Sequence, residues 1–296
     1  MPNETTMKRK EFLKKAIAGS SLSVLGATAL TKISKAEART KTETEKLGYN
    51  HLPNKEYKTM NTVLHKADTR GDANHGWLQS KYSFSFANYH NSERMNFGLL
   101  RVLNDDTVAP GMGFGTHGHQ NMEIISIPIE GDLEHEDSMG NTTVIKSGDI
   151  QVLSAGTGIT HSEYNKNNDK EVKFLQIWVF PKVKNVIPRY DQKTLDVKGR
   201  ENQFQQVLSP NRDDSGVWIH QNAWFNMTNL DEGKALTYKL NDSERNGVYA
   251  FILNGDATIN NQPLNKRDGF GVWDITELDI KADTNVEILI MEIPMN

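Results

Sequence analysis

Four residues of metal-binding types stand in two pairs, His117 with His119 and His161 with Glu163, and one residue separates the members of each pair. Side chains two residues apart in a β-strand point to the same face, so each pair presents two ligands together. Three imidazoles and one carboxylate suit a divalent first-row metal, and a five- or six-coordinate ion would keep positions open for substrate or oxygen. The pattern therefore predicts a catalytic metal site.

Composition limits what can surround such a site. The chain has 296 residues, of which 36% are hydrophobic, enough for one large core or two ordinary ones. The charged fraction of 24% is that of an ordinary soluble globular protein. Cysteine is absent, which excludes disulfides, thiolate ligands and cysteine nucleophiles. Any metal must be held by nitrogen and oxygen.

Residues 1–38 differ from the rest and follow the order of an export signal. A basic run at 8–15 precedes a modestly apolar segment at 16–30 and an A-x-A site at 36–38. The segment RKEFLK at 9–14 resembles a twin-arginine signal, with Lys10 in place of the second arginine. We expect cleavage after Ala38 and a periplasmic or otherwise extracytoplasmic location. The alternatives are a frayed amphipathic helix at the N-terminus and, if the signal is not used, a cytoplasmic protein.

Charge and hydropathy exclude two classes of partner. The apolar segment at 16–30 is too short and too rich in Ser, Gly and Thr for a membrane span, so no stable membrane anchor is expected. Residues 1–38 hold seven Lys/Arg and three Asp/Glu, and their removal changes the formal charge from −4 to −8. A chain so acidic is poorly suited to nucleic acid, where affinity comes from Lys and Arg against phosphate. Residues 39–60 have the composition of a polar linker.

From residue 61 onward the sequence is typical of an all-β protein. Short apolar runs are bounded by Gly, Asn and Asp, and no long helical periodicity interrupts them. The predicted strands are 62–66, 97–103, 123–129, 142–146, 149–153 and 172–180 in a first unit, and 204–208, 217–220, 235–240, 247–253, 256–260, 269–273 and 286–293 in a second. They predict two successive barrels or sandwiches, at 61–185 and 203–296, joined by a connection at 186–202.

Motifs around the ligand pairs give a more specific prediction. The spacing G-x5-H-x-H-x3-E from Gly111 to Glu123, followed by Gly148, His161 and Asn165, resembles the two cupin motifs. The long spacing before His161, with GFGTHGH at 113–119, EHEDSMGN at 134–141 and SAGTGITHSE at 154–163, resembles the pirin family. Pirins more often carry proline where this chain has Gly118.

The pirin resemblance implies two consecutive cupin (jelly-roll) barrels, with the metal site in the N-terminal one. It also implies that His117, His119, His161 and Glu163 are the ligands. Strand alternation alone would also place Glu123, four residues after His119, on the same face, so it allows Glu123 as the carboxylate ligand instead. Because pirins use the glutamate after the second-motif histidine, Glu123 is expected to orient a ligating imidazole through its other ring nitrogen.

The second unit is expected to carry no metal site. It has no H-x-H pair before 247–253 and no histidine after 261–269. Such a unit would act as a packing partner for the first barrel.

The resemblance also implies an activity. Bacterial pirins similar to this chain are associated with quercetin 2,3-dioxygenase activity, in which O2 cleaves a flavonol ring. The expected cofactor is one divalent metal, Fe(II) first, and Mn, Co, Ni, Cu or Zn would also accept nitrogen and oxygen ligands. Glu163 is the predicted catalytic base for the 3-hydroxyl of the flavonol, in addition to being a ligand. The alternative is a non-enzymatic, iron-dependent redox-sensing protein, as animal pirins are described; the predicted export and the acidic charge argue against it.

The other histidines, such as His75, His90 and His220, have no comparable spacing and are expected to be structural or exposed. His135, flanked by acidic residues at 134, 136 and 137, is predicted to lie on a solvated hairpin. Aromatic residues predicted as core are Trp77, Phe84, Phe86 and Trp178. Met112, Phe114 and Phe174 are candidates for the pocket wall, with core packing equally compatible.

Overall fold

The fold is built almost entirely of β-strands, in a computed structural model that describes residues 59–296. The first strand is β1 (Asn61–His65), and a 3-10 turn at Ala67–Thr69 follows it. The strands that follow are β2 (Gly71–Asn74), β3 (Leu78–Tyr82), β4 (Leu100–Val108), β5 (Gly113–His119), β6 (Glu123–Glu130), β7 (Asp132–Asp137), β8 (Thr142–Lys146), β9 (Asp149–Ser154), β10 (Ile159–Asn165), β11 (Val172–Val179) and β12 (Arg189–Thr194). Together β2–β12 form the N-terminal barrel.

A second 3-10 turn, Val197–Arg200, precedes the C-terminal barrel. Its strands are β13 (Gln205–Ser209), β14 (Val217–Trp218), β15 (Trp224–Leu230), β16 (Ala235–Lys239), β17 (Asn246–Asn254), β18 (Ala257–Ile259), β19 (Gln262–Leu264), β20 (Gly269–Trp273), β21 (Glu277–Ala282) and β22 (Val286–Pro294). No helical segment within residues 59–296 is long and apolar enough to cross a membrane.

Each barrel consists of a seven-stranded and a four-stranded sheet. The orders are β12-β9-β6-β11-β4-β3-β2 and β5-β10-β7-β8 in the N-terminal barrel, and β1-β20-β17-β22-β15-β13-β14 and β16-β21-β18-β19 in the C-terminal one. This confirms the predicted all-β fold of two consecutive barrels.

The two barrels share one large apolar cluster. Strands of the N-terminal barrel contribute Ile125 and Ile177, and strands of the C-terminal barrel contribute Phe225, Tyr249 and Leu289. The opposite faces of these sheets point into the barrel interiors. Strands β6, β11, β17 and β22 therefore bury largely apolar side chains on both faces. Such near-continuous apolar runs are what buried central strands require.

Strand pairing differs from the predicted bounds at both ends of the first unit. Strand β1 was placed in the N-terminal barrel, but it pairs with β20 of the C-terminal barrel, with Asn61 opposite Trp273. Strand β12 lies in the predicted connection at 186–202 and pairs with β9 of the N-terminal barrel. The predicted export signal at 1–38 and most of the linker at 39–60 lie outside the described residues.

Candidate metal centre

The two predicted ligand pairs lie on adjacent strands. Strands β5 and β10 pair antiparallel with His161 directly opposite His117, and with Ile159 opposite His119. The ring centroids are 4.5 Å apart for His117 and His161, 4.9 Å for His119 and His161, and 4.8 Å for His117 and His119. One nitrogen from each of the three rings lies within 4.8 Å of the other two. The structure therefore brings the three histidines together.

A bulge in β5 orients the first of these rings. Four residues of β5, from Phe114 to His117, lie opposite three residues of β10, from His161 to Glu163. The extra residue changes which side chains face inward, so Phe114 points to the same side as the histidines. It also places the carbonyl oxygen of Gly115 at 2.8 Å from Nδ1 of His117. This contact selects the tautomer in which Nδ1 donates and Nε2 is left with a free lone pair.

Unpartnered nitrogens on buried rings fit a bound metal ion. Nε2 of His119 and both ring nitrogens of His161 are buried and have no hydrogen-bond partner within residues 59–296. Burial, followed by the charge of neighbouring histidines, lowers the pKa of His119 to about 4 and that of His161 to about 3. Rings that stay neutral keep the lone pairs that a metal needs. Because orphaned buried polar atoms are costly, a nitrogen of each ring is available to a metal ion, which can take one ligand atom from each histidine.

Glu163 is held in place by two hydrogen bonds. Its Oε1 accepts from Oγ of Ser126 at 2.9 Å, and its Oε2 accepts from Nε2 of Gln176 at 2.6 Å. The Gln176 amide is itself oriented, since its Oε1 accepts from Nε1 of Trp178 at 3.1 Å. Glu163 is only 1% exposed, so the carboxylate is fixed at the base of the site.

His135 is not on a solvated hairpin, and this prediction was wrong. Its side chain is fully buried, and it stands opposite Glu163 in the β7–β10 pairing. A nitrogen of His135 lies within 4.8 Å of donor atoms of both His161 and Glu163. The pattern that reveals it is strand alternation, because Glu134 and Glu136 face outward while His135 and Asp137 face inward. The spacing of His135 and Asp137 is the same as that of the ligand pairs.

Glu123 does not orient the ligating imidazoles, and this expectation is corrected too. It lies on the face of β6 that carries Ile125 and meets the C-terminal barrel, whereas Ser126 on the other face bonds Glu163. The Glu123 carboxylate accepts from Oγ of Ser154 at 2.6 Å and from the backbone of His220. Burial outweighs these hydrogen bonds and the charge of Arg189 and raises the pKa of Glu123 to about 7.

A mostly aromatic pocket opens next to the histidines. Its volume is about 400 Å³, and His117, His119 and Glu163 form part of its wall. Trp77, Phe86, Phe114 and Trp178 supply the apolar surface. Trp77, Phe86 and Trp178 were predicted as core, and they are half-buried residues of the pocket wall. Trp77 and Trp178 also pack against apolar core clusters. Phe84 and Phe174 are fully buried core residues.

A larger cleft of about 830 Å³ lies elsewhere. It is lined by polar residues such as Asp242 and Arg245 and contains none of the converging donors. Chemistry therefore favours the smaller pocket.

Comparison with known proteins identifies the family. The Pirin family model matches residues 38–179, and the model described as quercetinase C-terminal cupin domain matches residues 206–293. A protein from Escherichia coli named quercetin 2,3-dioxygenase is 40% identical over 232 residues, which are 78% of this chain and 98% of that protein. The chain belongs to the pirin family. A pirin-like protein from Caulobacter vibrioides is 37% identical over 226 residues, or 76% of this chain and 96% of that protein.

Solved pirin structures share this fold. The crystal structure of YhhW from Escherichia coli superposes with a TM-score of 0.76 at 39% identity, covering 79% of this chain and 98% of YhhW. A second structure of that bacterial pirin is a complex with nickel(II), with a TM-score of 0.75 at 38% identity and coverage of 79% and 99%. A pirin of this fold is thus known in a metal complex, and the present pirin carries a group of donors suited to a metal in its N-terminal barrel.

Proposed function

We propose that this pirin is a metal-dependent dioxygenase that cleaves a flavonol such as quercetin with O2. The observation that carries the proposal is the convergence of three imidazoles, two of which line an aromatic pocket. The name of the Escherichia coli relative supports this choice of reaction. A planar aromatic substrate fits a pocket whose apolar surface comes largely from aromatic side chains and whose wall includes candidate metal ligands.

The ligands of the metal would be His117, His119, His161 and Glu163. Iron is the proposed ion, because a redox-active metal with open positions could bind an enolate and bring O2 close to it. When bound, the ion supplies Lewis acidity that lowers the pKa of the substrate's 3-hydroxyl. The protein would hold the flavonol with its 3-hydroxyl facing Glu163.

Glu163 is the proposed base for that hydroxyl. The proton would go to Oε1, because the two partners of this carboxylate differ in what they can accept. Oε1 is bonded to the hydroxyl of Ser126, which can reverse its role and accept a hydrogen bond from the protonated acid. Oε2 is bonded to the Nε2 amide group of Gln176, which can only donate.

The pocket walls would orient the substrate and exclude water. Trp77 and Phe114 pack edge to face, with centroids 5.6 Å apart, and Trp178 packs edge to face against His119 at 5.0 Å. These rings give a flat aromatic ligand stacking partners on more than one side. A nonpolar, partly closed site also strengthens the hydrogen bonds that fix the ligand.

Metal analysis combined with oxygen uptake tests the proposal. Purified protein should contain about one metal ion per chain and consume O2 and quercetin in about equal amounts, because a dioxygenase places both oxygen atoms in its products. The His161→Ala protein is the matched control and should show neither. A metal-loaded protein that binds quercetin under nitrogen but takes up no O2 on exposure to air would contradict the dioxygenase assignment.

A further inference from the structure

A second polar patch lies in the wall of the same pocket, away from the histidines. It consists of Asn104 and Asp106 on β4 and Ser80 on β3. Asn104 and Asp106 are two residues apart and therefore share a face, and Ser80 stands directly opposite Asp106. All three side chains are buried, with exposed fractions of 3%, 3% and 2%. None of them takes part in the chemistry described above.

Asn104 ends in an acceptor without a partner. Its Oδ1 is buried, faces no hydrogen-bond donor of the described residues, and belongs to a side chain that lines the pocket. A buried carbonyl oxygen of this kind is costly unless a ligand or water pairs with it. Next to it, Asp106 accepts a hydrogen bond from Oγ of Ser80. Burial raises the pKa of Asp106 to about 7, so this carboxyl can also donate.

The strand register fixes how far this patch lies from Glu163. Asn104 pairs with Gln176, the residue that bonds Glu163, so it stands one strand spacing, about 5 Å, beyond Gln176. Ser80 is on the next strand, about 5 Å further. A ligand that reaches from the histidines to this patch must therefore be longer than a single aromatic ring.

The charges around the pocket restrict the class of ligand. Among the described residues, its lining contains the carboxyl groups of Asp106 and Glu163 and no Lys or Arg. At the end of the pocket away from the metal ligands, a carboxylate or phosphate on the ligand would meet Asp106 and no cationic side chain of the described lining. A neutral hydroxyl can instead donate to Oδ1 of Asn104 and accept from a neighbouring donor. The patch therefore suits phenolic hydroxyls on an uncharged aromatic ligand.

We propose that Asn104, supported by Asp106 and Ser80, binds a phenolic hydroxyl of the substrate that is remote from the metal-binding one. The site then selects planar aromatic compounds that are hydroxylated at two separated positions. This inference rests on the proposed function, because it specifies the substrate class of the same pocket. It assigns Asn104 a role in binding and none in the oxygen chemistry.

The test compares two flavonols that differ only in their remote hydroxyls. Quercetin carries them, whereas 3-hydroxyflavone has the metal-binding hydroxyl alone. Binding to the metal-loaded protein is followed under nitrogen by quenching of tryptophan fluorescence, since Trp77 and Trp178 line the pocket. Asn104→Leu, which keeps the size of the side chain, should weaken quercetin binding about 3- to 10-fold and change 3-hydroxyflavone binding little, as expected for one lost hydrogen bond.

Controls keep the inference separate from the proposed function. Thr107 lies on the opposite face of β4, so Thr107→Val should leave the affinities for quercetin and 3-hydroxyflavone unchanged. If thermal melting shows that Asn104→Leu does not fold, Asn104→Ala carries the same comparison. If the Asn104 variant binds both flavonols equally more weakly, or binds both as tightly as wild type does, the role of Asn104 is overturned and the dioxygenase proposal stays intact. Failure of the wild-type protein to bind either flavonol would overturn both.

Discussion

His161 is shared by both sets of converging donor atoms, those with His117 and His119 and those with His135 and Glu163. It is 1% exposed, and neither ring nitrogen has a hydrogen-bond partner in the part of the chain that the structure describes. No apolar core cluster of the described residues includes it, so its removal affects the site more than the packing.

We therefore expect His161→Ala to abolish tight metal binding while the barrels still fold. Metal content after gel filtration measures the first effect, and cooperative thermal unfolding measures the second. His75→Ala is the matched control, because His75 is exposed and should leave metal content unchanged. Full metal occupancy in the His161→Ala protein would show that the ligand assignment is wrong.

The two glutamates of the motifs should behave differently. Glu163→Gln should lose metal affinity and flavonol turnover, since a neutral amide is a weaker ligand and cannot act as the base. Glu123→Gln should keep metal affinity within about 2-fold, a smaller effect than the 10–100-fold usual for residues that support ligands. Metal titration of both variants decides between them; a greater loss for Glu123→Gln would restore Glu123 as the carboxylate ligand.

Glu123 should also make stability depend on pH. Burial raises its pKa from an ordinary 4.5 to about 7, so the folded protein holds this proton more tightly than the unfolded chain. The folded state therefore loses stability as pH rises from 4.5 to 7, and the full penalty remains above that range. Glu123→Gln removes this titration. The stability of the variant relative to wild type should rise by about 2.5 kcal/mol between about pH 5 and about pH 8, measured by urea unfolding. A difference that is constant with pH would show that Glu123 stays ionised in the folded protein.

Residue types and spacing were sufficient to predict the three converging histidines, because strand alternation places i and i+2 together. They were not sufficient for His135, whose acidic neighbours suggested solvent although they alternate away from it. They also failed for Glu123. The chain turns between β5 and β6, so counting residues from His119 does not tell which face of β6 carries the Glu123 side chain. Only the pairing of β6 with β9 and β11 shows which face of that strand meets the site.

At the scale of elements, the β5 bulge and the close contact of β5 with β10 set the geometry of the site. Gly113 pairs with Tyr164, and a Cβ added at Gly113 would lie 2.2 Å from the carbonyl oxygen of Glu163. A Cβ added at Gly118, between the two histidines, would have no neighbour closer than 3.8 Å. Polar strands such as β7 and β12 could not be predicted from apolar runs, since β7 buries His135 and Asp137 beside a single leucine and β12 consists of half-buried polar residues and Tyr190 with an exposed threonine at its end.

Gly113→Ala should therefore disturb the site, and Gly118→Ala should not. The first substitution forces β5 and β10 apart and should cost about 1–3 kcal/mol of stability, with weaker metal binding because Glu163 shifts. The second lies on the same strand at an exposed position and should stay within about 0.5 kcal/mol of wild type. Urea unfolding and metal titration of the pair test this; equal effects of both substitutions would mean that the β5–β10 contact does not position the ligands.

At the scale of the whole molecule, the two barrels are joined by more than the chain that connects them. Strand β1 belongs to the C-terminal sheet, and Lys66 just after it forms an ion pair with Asp268, which is 202 residues further along the chain. Local sequence patterns do not contain such a distant partner, so the strand itself was predicted and its barrel was not. The apolar cluster between the seven-stranded sheets explains why the C-terminal barrel serves as a packing partner.

We propose that the folded two-barrel protein is exported with its metal already bound. Residues 1–38 have the basic, apolar and A-x-A order of an export signal, and the Pirin family model begins to match only at residue 38. A twin-arginine route carries folded cargo, which suits a protein whose ligands come together only after β5 and β10 have paired.

Arg9→Lys should block export, because Arg9 is the only arginine at the signal position, whereas Lys10→Arg should support it. N-terminal sequencing after cell fractionation should give a mature chain starting near Arg39 outside the cytoplasm. A chain that starts at Met1 in the cytoplasmic fraction would contradict export.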